Sequence, residues 1–99
     1  MSKTEITQEQ IASWKEKHGE VFMIEVDDRI AYLRRPTRKA LSAAAVVGKT
    51  DPMKYNEVLL KNCWLGGDEE IQEKDDLFLG ASEALADLIE KKEATLKKL

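Results

Sequence analysis

Histidine and cysteine are the side chains that most readily do chemistry near neutral pH, and this chain has one of each, His18 and Cys63. A Cys–His or Ser–His–Asp site would need His18 as its base, beside Cys63 or a serine. His18 falls where a helical pattern ends, a place suited to interaction with the last carbonyls and the helix dipole. Cys63 sits in an apolar stretch and reads as a small core residue. One cysteine and one histidine cannot make a structural zinc site. The sequence therefore leads to the expectation of no catalytic residue, no metal and no cofactor, hence of a chain that is not an enzyme.

Two charged runs are the next candidates. Asp68, Glu69, Glu70, Glu73, Asp75 and Asp76 form an acidic run that does not match the spacing of a calcium loop. It reads as a solvated surface that also favours a helix start. Arg34, Arg35, Arg38 and Lys39 cluster around Pro36-Thr37 and could contact an anion or an acidic surface. The acidic run at 68–76, on the same or a second copy, is the candidate partner. A phosphate backbone is the other candidate. Gly66-Gly67 belongs to neither a G-x-x-x-x-G-K-[ST] nor a G-x-G-x-x-G phosphate loop.

The bulk numbers set the frame for these residues. Ninety-nine residues make one domain. With 42% hydrophobic residues the chain can bury a core, and 35% charged residues suit exposed helices. A net charge of −3 argues against bulk nucleic-acid binding, which favours a basic excess. A single cysteine forbids an internal disulfide and fits a reducing compartment. MSKTEITQEQ carries no apolar run, so no signal peptide is expected. No stretch approaches the roughly 18 apolar residues of a membrane span. The expectation is a soluble, cytoplasmic protein.

The elements that would position these residues can be read in order. Residues 1–5 read as a loose, flexible tail, and 6–18 as a helix. Thr7 and Gln10 have capping-box spacing, and Ile6 and Ile11 that of a hydrophobic staple. Gly19 stops this helix. Residues 20–35 read as a β-hairpin with Asp27-Asp28 at its turn. Phe22, Ile24 and Val26 share a face that Ile30 and Tyr32 would meet. Both faces are partly apolar, so the hairpin needs a covering helix or another strand along its edge. Residues 37–63 read as two helices. Thr37 caps the first, an alanine-rich helix expected under the hairpin, and Asp51-Pro52 starts the second. Met53, Tyr55, Val58, Leu59 and Leu60 give the second its apolar side. Trp64-Leu65-Gly66-Gly67 reads as a break. Residues 68–99 read as a C-terminal helical segment, with a stripe of Phe78, Ala81, Leu85, Leu88 and Leu99 widened by Leu79. The end, EKKEATLKKL, would project and meet a partner helix.

The segment IEVDDRIAYLRRPTRKALSAA, followed by DPMKYNEVLLKNCWLGGDEEI and a helix of acids and leucines, resembles small phage tail assembly chaperone-type proteins of tailed phages and prophages. The resemblance covers roughly residues 20–95 and lies in a pattern of hairpin and helices, not in a catalytic signature. It implies a non-enzymatic role: holding a long tape measure protein soluble while tail tube subunits assemble around it. A small structural protein of the phage head or tail, and a nucleic-acid accessory protein using the patch from Arg34 to Lys39, are the alternatives.

These readings converge on an α+β domain, in which an N-terminal helix and a β-hairpin pack on a small helical bundle with a long C-terminal helix. The expected partner is a tape measure or other virion protein, or a second copy of the chain, and not a membrane. The hairpin's open edge and the last helix are the expected contact surfaces. Phe22, Met23, Tyr32, Leu33, Leu88 and Leu96 are the candidate contacts, and each also fits a core position.

Overall fold

The computed structural model describes residues 6–89 and 94–99. Among them are five helices and one antiparallel sheet, an α+β fold: α1 (Gln8–His18), β1 (Val21–Val26), β2 (Arg29–Arg34), α2 (Arg38–Gly48), α3 (Pro52–Cys63), β3 (Trp64–Gly67), α4 (Glu70–Glu73) and α5 (Asp75–Leu85). A 3-10 turn, Ala86–Leu88, follows α5. The expected flexible tail at 1–5 lies outside the described residues.

Local chemistry sets the early boundaries. Thr7 Oγ1 accepts from the Gln10 N–H at 3.1 Å, and Gln10 Oε1 accepts from the Thr7 N–H at 3.0 Å. This reciprocal pair satisfies two N–H groups at the start of α1. Gly19, at φ 87°, ends the helix in a conformation costly for other residues. Thr37 Oγ1 accepts from the Ala40 N–H and starts α2. Pro52 occupies the first turn of α3, where its missing N–H costs nothing.

The hairpin has the expected strands but a different facing. Phe22 pairs with Leu33, Ile24 with Ala31 and Val26 with Arg29. Met23 pairs with Tyr32, and Glu25 with Ile30. Directly paired residues share a face. Phe22 and Ile24 therefore lie with Leu33 and Ala31, not with Tyr32 and Ile30. The two-residue turn dictates this register, and Asp27 takes φ 61° to make it.

The segment read as a break is a third strand. β3 pairs antiparallel with β2, giving the order β1-β2-β3. Gly66 and Gly67 make this approach possible. A Cβ on Gly67 would lie 2.5 Å from the Ile30 carbonyl oxygen and 2.6 Å from the Ala31 Cα. A Cβ on Gly66 would lie 3.0 Å from the Trp14 ring. Trp14 thus seats α1 on the outer face of the sheet, with its ring centroid 5.9 Å from that of Tyr32.

The other face carries the core. Leu33 packs with Ala44, Leu59, Leu60, Cys63, Leu85 and Leu88. Ala31, Ile71 and Ala81 form an adjoining cluster. Trp64 is half-buried and touches both clusters. α2 is not the helix directly beneath the hairpin. It pairs with α3 as an outer layer, burying Ala40 and Ala44, while α5 lies against β1. Alanines permit close packing but bury little area, so the leucines of α3 and α5 take the central place.

The long C-terminal helix is also corrected. α5 ends at Leu85, and Ile89 is extended at φ −84° and ψ 113°. The buried stripe is Leu77, Ala81, Leu85 and Leu88, and Leu79 is exposed. Among the described residues Leu88 is the last buried one of the stripe, and packing of an apolar face supplies most helix stability. The expected helix at 90–93 lies outside the described residues, and 94–99 is not helical.

Candidate protein-binding surface

The sheet has two edge strands, β1 and β3, and the hairpin register identifies the outward groups of β1. Antiparallel pairs alternate between hydrogen-bonded and non-hydrogen-bonded kinds. The Ile30 carbonyl accepts from the Asp68 N–H at 2.9 Å, on the side away from β1. The Glu25–Ile30 pair is therefore non-hydrogen-bonded, as are Met23–Tyr32 and Val21–Arg34. The N–H and C=O groups of Val21, Met23 and Glu25 point away from β2. Among the described residues no hydrogen bond reaches them. Such a row is a template for an incoming strand.

The six candidate contacts divide sharply. Met23 stands on the free edge strand with 55% of its surface exposed, and Leu96 is 98% exposed. Phe22 is half-buried against the core, and Tyr32 is half-buried beside Trp14. Leu33 and Leu88 are corrected to core residues, 0% and 4% exposed. Leu33 pairs with Phe22 on the helix-covered face, and Leu88 closes the α5 stripe against it. Sequence reading placed Met53 and Leu79 in apolar faces, yet they are 47% and 49% exposed. Leu79 stands two residues from both Leu77 and Ala81, on the side of α5 away from the buried stripe, and Met53 stands in the first turn of α3.

The residues of the basic run differ in their surroundings. Arg35 donates to Glu20 and, at 2.7 Å, to the Leu88 carbonyl, and its guanidinium lies 4.6 Å from the Phe22 ring centroid. It pins the end of α5 to the hairpin. Arg34 is half-buried on β2, while Arg38 and Lys39 are exposed in the first turn of α2. The acidic run turns instead to Arg29, which sequence reading treated only as a strand residue. Arg29 Nε donates to Glu70 Oε1 at 2.8 Å, and the buried Asp68 carboxylate lies 3.7 Å from the same nitrogen. Asp68 Oδ1 also accepts from the Glu70 N–H, at 3.2 Å. The signal was topological: a strand after Cys63 carries Asp68 to the hairpin turn.

Compared with protein-family models, curated proteins and solved structures, the chain matches none.

The two candidate reactive side chains lie apart in the fold. Cys63 is buried at the end of α3, and burial pushes its thiol up to about 11, with Arg34 opposing weakly. A thiol so placed is protonated at neutral pH and shielded from solvent. His18 is exposed at the end of α1, on the opposite side of the sheet from the Cys63 cluster. No helix among the described residues is long and apolar enough to cross a membrane.

Proposed function

We propose that this chain is a protein-binding assembly factor of phage origin, a tail assembly chaperone that captures a tape measure protein. One observation carries the binding part of this reading: β1 ends the sheet, no hydrogen bond among the described residues reaches its outward backbone groups, and Met23 is exposed beside them. A partner strand added there gains main-chain hydrogen bonds, and Met23 offers an adaptable apolar contact. The resemblance of residues 20–95 to chaperone-type phage proteins supplies the phage context. The chemistry at Cys63 agrees with a role in binding, because a buried, protonated thiol is a poor nucleophile.

The test is affinity capture of the tagged protein from phage-producing cells, with mass spectrometry of what it holds. Recovery of a very long helical phage protein supports the reading. Recovery of capsid or tail subunits instead makes the chain a structural component. Recovery of nucleic acid, or of nothing besides the chain itself, contradicts the chaperone role.

A further inference from the structure

A shallow trough runs between α3 and the start of α5. Two adjoining hollows of about 270 and 360 Å³ share Glu57, Asp75 and Phe78 in their walls. Met53, Phe78 and Leu79 give it an apolar lining, and Met53 and Leu79 are each about half exposed. Glu57, Glu73 and Asp75 set three carboxylates around it against one ammonium, Lys61. Lys54 lies 3.5 Å from Glu57 and offsets that carboxylate in part. Apolar lining with an acidic rim selects a short segment that is apolar on one side and basic on the other.

The chain itself carries such a segment. Residues 94–99 read Ala-Thr-Leu-Lys-Lys-Leu. Leu96 is 98% exposed and Leu99 wholly exposed, so neither is covered by its own chain. Leu96 and Leu99 stand three apart and would share one side of a helical turn. Lys97 and Lys98 lie between them. The trough opens at the N-terminal end of α5, whereas the chain leaves α5 from its other end, about 16 Å away for an 11-residue helix. Because Leu96 and Leu99 are uncovered, the segment does not fill its own chain's trough, which leaves the trough of a second copy to receive it.

We infer that residues 94–99 of one copy dock in the α3–α5 trough of a second copy, with Leu96 and Leu99 on Met53, Phe78 and Leu79. Lys97 and Lys98 then face Glu57, Glu73 and Asp75. Each copy has one segment and one trough, so the contact closes into a reciprocal dimer or continues head to tail. This association uses neither the β1 edge nor a phage partner, and it stands whether or not the chaperone reading holds.

The experiment is sedimentation of the full chain from about 10 µM to about 1 mM, together with Leu79→Glu and Leu96→Asp. Both side chains are exposed, so each variant keeps its fold, which circular dichroism verifies. The mean mass of the unaltered chain is expected to rise above 11.2 kDa with concentration. Each variant alone should lose association by roughly tenfold or more. An equimolar mixture should recover it in part, through one contact per mixed pair, because Leu96→Asp keeps an intact trough and Leu79→Glu an intact segment. Salt raised from about 0.05 to about 0.5 M should weaken the contact through charge screening. A chain that stays monomeric at the highest concentration overturns the inference. So does association that either variant leaves untouched, or loss in both variants without recovery on mixing.

Discussion

Arg29, the first residue of β2, donates through Nε to Oε1 of Glu70, the first residue of α4, at 2.8 Å and across 41 positions of sequence. The pair ties the hairpin turn to the segment that follows β3. With Asp28 at 2.8 Å and Asp68 at 3.7 Å, it places Arg29 among carboxylates from both sides of the closure.

The Arg29 hydrogen bond, opposed by desolvation and helped by the charges of Arg29 and Lys74, holds the Glu70 carboxyl below the usual carboxylate range. A carboxylate whose value is depressed on folding contributes stability above its unfolded value. That contribution is lost as pH falls through the folded one. Urea titrations through the acid range should show this decline, and Glu70→Gln should flatten it while lowering stability at neutral pH. An unchanged acid limb in Glu70→Gln would remove the pair from the account.

Gly67→Ala should be severely destabilising, by about 2–4 kcal/mol, from backbone strain at φ 131° plus collision with Ile30 and Ala31. The unfolding midpoint in urea measures it. A neutral result would mean that β3 does not pair with β2 as described.

Cys63 should resist thiol reagents at about pH 8, because its burial shields it and holds the thiol protonated. Labelling rates followed by mass spectrometry should rise only in step with unfolding. Rapid labelling of the folded chain would contradict its place in the core.

Removal of residues 94–99 should leave the unfolding free energy of the dilute chain within about 0.5 kcal/mol, as for other exposed positions away from special contacts. Leu96 and Leu99 are fully open to solvent. Thermal unfolding at low concentration is the measurement, and a large loss would show that the segment packs on its own domain.

Much of the fold was legible because local chemistry dictates it. Thr7 with Gln10, Thr37, and Asp51-Pro52 mark helix starts through groups that sit close together in sequence. Val21–Val26 and Arg29–Arg34 mark strands through β-formers around a two-residue turn. What escaped depends on distant partners. Trp64–Gly67 has too few β-formers to read as a strand, and its pairing is licensed by missing side chains at Gly66 and Gly67. The facing of Phe22 and Tyr32 needed the register, which shifts every side chain at once. The last helix was overextended because Leu96 and Leu99 continue its spacing, although nothing buries them. At the candidate surface Met23 and Leu96 are exposed while Leu33 and Leu88 are buried, a division that residue type alone does not carry.

The most direct measurement of the central claim is capture of a co-expressed phage tape measure protein by the unaltered chain and by Glu25→Pro. The Glu25 N–H points away from β2, so proline removes an edge donor without breaking the β1–β2 ladder. The variant should be folded, by circular dichroism, and its capture should fall roughly tenfold, about 1.4 kcal/mol. Equal capture by a folded Glu25→Pro chain, or no capture by the unaltered chain, would contradict binding through the β1 edge.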